Sequence, residues 1–167
     1  MFRVGEQIVH PLHGVGVVED VTEQKTDGEI RRYYVFRALK DPLVVLIPES
    51  SYESIGVRPV MKRETAEKIL REFSEPLESS RENWNRRYRN NMERLRSGNP
   101  EETAVVVRML TLRDREKVLS AGERKMLSTA KNILFSELSL VTGMPERVLE
   151  NRLRESLAQA SDTQDVK

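Results

Sequence analysis

The chain has 167 residues and a mass of 19.3 kDa, enough for one ordinary domain or two small ones. Its 28 Lys and Arg face 27 Asp and Glu, a net charge of only +1, although 33% of residues are charged. That balance excludes a uniformly basic, histone-like tail but not a local patch, which a sum over the whole chain hides. There is no cysteine, which excludes disulfides, thiol catalysis and Cys-ligated zinc or iron–sulfur sites. The first ten residues contain no apolar stretch of the signal-peptide kind. The longest apolar run, Leu43–Ile47, falls far short of the roughly 20 residues that span a bilayer. A soluble, cytoplasmic protein is expected.

Residues 1–60 carry the signals of strands and turns. Gln7–His10 is a short β-prone run closed by Pro11. Gly14 and Gly16 bracket Val15 at the start of the next run, which predicts a bulge or a close backbone approach. Val17–Thr22 and Tyr33–Leu39 flank Asp27-Gly28, a dipeptide favoured where a hairpin needs positive φ. Asp41-Pro42 marks another tight turn, and Leu43–Ile47 reads as a strand ended by Pro48. Ile55–Val60 is a last short run. About five short strands without a helical pattern predict a small, strongly bent sheet or partly open barrel.

From residue 62 the apolar period becomes helical. Ala66, Ile69, Leu70 and Phe73 share one face. Glu75-Pro76 interrupts that pattern. Ser79-Ser80-Arg81-Glu82 fits a capping box for a helix carrying Trp84, Tyr88, Met92 and Leu95 and stopped by Gly98. Asn99-Pro100-Glu101-Glu102 opens a helix over 101–112, with Val105, Val106, Met109 and Leu110 as its buried residues. Ser120-Ala121-Gly122-Glu123 is a second capping box, followed by an apolar stripe from Met126 to Val141 and a stop at Gly143. Pro145 opens the last helix, with Val148, Leu149, Leu153 and Leu157 apolar. The expected class is α+β: a β module over residues 1–62, a compact domain of about five helices over 63–159, and a frayed tail over 160–167.

Charge is partitioned along the chain. Residues 1–64 hold nine basic and ten acidic side chains, whereas residues 81–96 hold six arginines against Glu82 and Glu93. Arginine presents a planar fork suited to phosphate and to narrow grooves. The sole tryptophan, Trp84, starts this segment within Asn83-Trp84-Asn85-Arg86-Arg87-Tyr88-Arg89. Arg86, Arg87 and Arg89 could hold phosphates, Trp84 could stack on or intrude between bases, and Asn83 and Asn85 could meet minor-groove acceptors. The register with Tyr88, Met92 and Leu95 supports a second reading, in which Trp84 starts the core face of its helix. Both readings stand on the sequence. His10 and His13 lack a third ligand at suitable spacing, so no metal site is expected. Gly14-x-Gly16 precedes no helix and is not a dinucleotide loop.

Residues 1 to about 158 resemble the CarD/CdnL family of bacterial RNA polymerase-binding transcription regulators. Three stretches carry the resemblance: Phe2–Glu6 with Val9–Gly16, Asn83–Arg89, and Leu119–Leu127. The first is shared with the polymerase-interacting module of transcription-repair coupling factors. No helicase motif follows, so a stand-alone family member is expected. The resemblance implies a Tudor-like N-terminal sheet that docks on the RNA polymerase β subunit. It implies a helical module that touches promoter DNA just upstream of the −10 element. The family tryptophan matches Trp84 and wedges into the minor groove at the edge of the melted region, with Arg86, Arg87 and Arg89 on the backbone. Arg124 and Lys125 match a basic pair in a later helix. The implied effect is stabilisation of the open complex at promoters of the primary σ factor, ribosomal RNA promoters included.

Docking through an exposed strand edge points to Val44, Val45, Leu46, Ile47 and Pro48, by addition of a strand. The same run also reads as buried core. Where the family carries polymerase-contacting arginines, this chain has Gln24 and Leu46; Lys25 and Arg37 are the nearby replacements. A competing function is a protein adaptor whose Arg-rich helix meets a σ factor or another acidic protein. No motif calls for an enzyme, a cofactor or a small-molecule ligand, and no membrane partner is expected.

Overall fold

The computed structural model describes residues 1–77 and 81–164. Strands β1 (Gln7–His10), β2 (Gly14–Thr26), β3 (Glu29–Ala38), β4 (Val44–Pro48) and β5 (Arg58–Pro59) form one antiparallel sheet in the order β4-β3-β2-β1-β5. A helical turn, α1 (Tyr52–Ile55), lies between β4 and β5. Helices α2 (Arg63–Glu72), α3 (Trp84–Arg96), α4 (Pro100–Glu116), α5 (Ala121–Thr142) and α6 (Glu146–Gln164) follow. The α+β class and the five-helix second half match the sequence reading.

The hairpin between β2 and β3 turns at Asp27 and Gly28, both at positive φ (53° and 83°), as the dipeptide predicts. Of the two glycines at the start of β2, Gly16 serves close approach, since a Cβ there would collide with the Phe36 ring and the Arg37 carbonyl, whereas Gly14 takes positive φ (72°). The bulge itself falls later, between Val18 and Asp20. It strengthens the local twist of the long β2–β3 ribbon. Ile8, Val18, Tyr34, Phe36 and Ile47 fill one face of the sheet, closed by Phe2. The Phe2 amide donates to the Tyr34 hydroxyl at 3.2 Å, which fixes the N-terminus over that core.

Several expected boundaries move. Ile55 belongs to α1, not to a strand, and β5 is reduced to Arg58–Pro59. Helix α4 continues to Glu116, and Val105 and Met109 are only partly buried while Thr103, Ala104 and Val107 take core places. Helix α6 runs to Gln164, so the backbone expected to fray from Ala160 is helical there. Ser79 and Ser80 lie outside the described residues. The N-cap of α3 is Asn83, whose side chain accepts from the Arg86 amide.

The two halves are joined through buried contacts. Val9 and Val15 of the sheet pack on Ile133 of α5. Beside them Arg58 of β5 grips Glu137 of α5 with two hydrogen bonds of 2.6 Å. Glu137 is 1% exposed and also accepts from the Met61 amide at 2.7 Å. Arg58 Nε donates in addition to the Gly98 carbonyl. There the turn after α3 touches the turn after α1: a Cβ on Gly98 (φ +70°) would sit 2.5 Å from the Gly56 carbonyl oxygen. Glycine is required at that crossing by both conformation and space.

Candidate nucleic-acid interface

Helices α3 and α5 begin side by side, and the candidate residues gather at that corner. The start of each helix is fixed by its cap: Asn83 for α3, and Ser120 for α5, whose hydroxyl accepts from the Glu123 amide at 3.1 Å. Trp84 is the first residue of α3 and is 44% exposed. It does not join the core stripe that its spacing with Tyr88, Met92 and Leu95 suggests. Those three pack against the helical core, while Trp84 lies one turn before Tyr88 at the helix end. Its ring stacks on Tyr88, with centroids 5.1 Å apart and planes 22° apart. Its indole N–H donates to Ser120 Oγ at 3.1 Å. A large, flat side chain is thus held at a surface by a stack and a hydrogen bond. Gly122 lets Tyr88 pack closely on α5, since a Cβ there would lie 3.2 Å from the Tyr88 ring.

Arg87 departs from the expected role. It is 5% exposed and its guanidinium reaches Glu123 at 2.9 and 3.4 Å. It also donates to the Glu82 carbonyl at 3.2 Å. Helical spacing explains this: Arg87 and Asn91, four apart, are the two buried polar residues of α3. Arg87 therefore ties α3 to α5 and is not available to phosphate; its partner Glu123 in turn meets Ser120, which accepts from the Trp84 indole. Glu123 is the residue the sequence reading missed as an organiser. It was legible only as the N3 acid of a capping box, yet it is 2% exposed and is also approached by Arg113 at 3.8 Å.

Other candidates remain at the surface. Arg86 and Arg89 are exposed, with Arg86 in a loose 3.8 Å pair with Glu82. Arg124 and Lys125 are exposed directly after Glu123. Asn85, Arg89, Met92 and Arg96 are spaced i, i+4, i+7 and i+11 and so share a flank of α3. Asn83 is exposed, but its side-chain oxygen is occupied as the cap. The corner therefore combines an exposed indole with guanidinium and ammonium groups over two helix N-termini, which favour anions.

The polymerase candidates form a separate surface. Strand β4 is at the sheet edge and pairs with β3 alone, so its other side is not part of the sheet. Val44 (46% exposed) and Leu46 (41%) face outward, and Val45 and Pro48 are half-buried. Ile47 is core and offers only its backbone. Arg37 lies opposite Val44 in register and is paired with Glu19. Lys25 lies opposite Ile30, seven residues along β3 and about 23 Å away at ordinary strand rise. Arg37 and Lys25 are therefore not one patch.

Residues 68–154 match the family model described as "CarD, C-terminal domain", and residues 2–61 match "CarD-like/TRCF RID domain". The chain belongs to the CarD family. A family relative, YdeB of Bacillus subtilis (strain 168), described as a candidate transcription factor, is 34% identical over 151 residues, covering 90% of this chain and 99% of YdeB. The family boundary between residues 61 and 68 falls at the start of α2, close to the division between sheet and helices. Among the described residues of this CarD-family chain, no helix is long and apolar enough to cross a membrane, and no group of three or more potential metal ligands occurs.

Proposed function

We propose that this protein regulates transcription initiation while bound to RNA polymerase, without catalysis of its own. The N-terminal module docks on the polymerase β subunit through the outer edge of β4. The helical module holds promoter DNA at the upstream edge of the −10 bubble and stabilises the open complex. The observation that carries this reading is Trp84: an exposed indole, stacked and hydrogen-bonded in place, beside unburied basic side chains. Membership of a family with a polymerase-interacting N-terminal module supports the tether.

The physical logic is differential affinity. Arg86, Arg89, Arg124 and Lys125 contribute salt-dependent attraction to phosphates. With a net charge of +1 that attraction is weak, and tethering to polymerase raises the local DNA concentration enough for weak contacts to suffice. Trp84 favours distorted or unstacked DNA over intact duplex, and only such a preference can move the closed–open equilibrium. About 1.4 kcal/mol of preference shifts it tenfold. Arg87 acts by positioning, through Glu123, and not by touching DNA.

Crosslinking from a photoreactive residue at position 84 in a polymerase–promoter complex tests the reading. The expected product is a crosslink to DNA near the upstream bubble edge. A crosslink to σ with none to DNA would instead support the adaptor. A pull-down with full-length protein carrying Val44→Glu and Leu46→Glu tests the docking edge; retained polymerase binding would remove it.

A further inference from the structure

We infer that the cleft between the β1–β2 turn, α3 and α5 is a binding site for a small amphipathic anion, an apolar body with one acidic head group. The cleft has a volume of about 500 Å³, within the range of small-molecule sites. Its walls are apolar: Tyr88, Met92 and Leu95 from α3 and Met126 from α5. Its lip carries Leu12 and Ile55, 65% and 37% exposed, which leaves large apolar side chains facing water at the mouth. No carboxylate lines it, but Arg96 and Lys125 do.

Those two cations are what give the site its sign. Along α3, Arg86, Arg87 and Arg94 each have an acidic neighbour. Arg96 and Lys125 have no hydrogen-bond or ion-pair partner among the described residues. His10, also in the lining, is held neutral because burial and the nearby His13 push its pKa down to about 4. Two unpaired cations over an apolar cavity favour an anionic group on an apolar body. A second copy of the chain fits less well, since a symmetric contact through this face would bring both pairs of cations together. The sequence does not reveal the cleft because its walls come from three distant segments.

The site shares Tyr88 with the Trp84 stack, so occupancy is reported by the only tryptophan of the chain. The inference does not depend on the DNA reading. Its test is a titration of the full chain with decanoate below its micelle concentration, followed by Trp84 emission and by calorimetry. The expected result is saturable one-site binding, with decyltrimethylammonium at least tenfold weaker. Arg96→Glu should weaken decanoate roughly tenfold. Thr129 also lines the cleft, and Thr129→Phe, which fills it, should abolish binding with an unchanged melting profile. Non-saturating binding, equal binding of the cationic probe, or an unchanged affinity in Arg96→Glu would overturn the proposal. So would a dimer that Leu12→Asp dissolves, which would assign the groove to a second copy.

Discussion

Helix α5 carries two buried carboxylates, and each holds an arginine from another element. Glu137, towards its C-terminal end, receives Arg58 in a two-pronged pair and a backbone amide as well. Glu123, in its first turn, receives Arg87 by one good bond and one long one, with Arg113 at a distance. The first pair joins the sheet to the helices and leaves little freedom. The second is shared and reaches the exposed indole only through Ser120. The contrast teaches that the same chemistry can lock a junction or aim a surface group, depending on how completely the charges are satisfied.

The largest expected effect is at the lock. Arg58→Ala leaves Glu137 buried without its cation and should cost about 3–5 kcal/mol in urea unfolding. Gly98→Ala attacks the neighbouring crossing, where the new Cβ meets the Gly56 carbonyl at positive φ. About 2 kcal/mol is expected there. Arg87→Met should cost less than Arg58→Ala, about 2 kcal/mol, because Glu123 keeps Ser120 and Arg113 nearby. It should also raise the mobility of Trp84, read as lower fluorescence anisotropy. If Arg87→Met proves more destabilising than Arg58→Ala, the distinction between lock and aim fails.

A pH experiment probes the sheet side of the junction. Burial, assisted by His13, pushes the His10 pKa down to about 4 from 6.5. The unfolded chain therefore takes up this proton first as pH falls. The stabilisation from the neutral ring is complete above pH 6.5 and is lost between about pH 6.5 and pH 4. Urea melts across that window should slope downward on acidification, less steeply in His10→Gln; equal slopes would remove His10 as the cause.

Much of the fold was legible because it rests on local rules. Asp27-Gly28 set a hairpin, Asn99-Pro100 and Ser120 set helix starts, and Gly143 set a stop. What local rules could not supply was orientation. The spacing of Trp84 with Tyr88 and Met92 is real, but a residue in the first turn projects past the core that those neighbours fill. The six arginines of residues 81–96 look alike in sequence. Only tertiary packing assigns Arg87 to Glu123, Arg94 to Glu102 at 3.5 Å, and leaves Arg89 and Arg96 to the surface. The near-neutral total charge thus conceals a basic corner, part of which is spent internally.

The smallest expected effect on stability is at the indole itself. Trp84→Ala removes one stack and one exposed hydrogen bond and should cost about 1 kcal/mol or less. Its effect on function should be the opposite in rank. The decisive measurement is the lifetime of the promoter open complex with Trp84→Ala in place of the wild-type protein, at matched polymerase occupancy. A folded, polymerase-bound variant with a markedly shorter lifetime is expected; an unchanged lifetime would rule out a role for the indole in holding the bubble open.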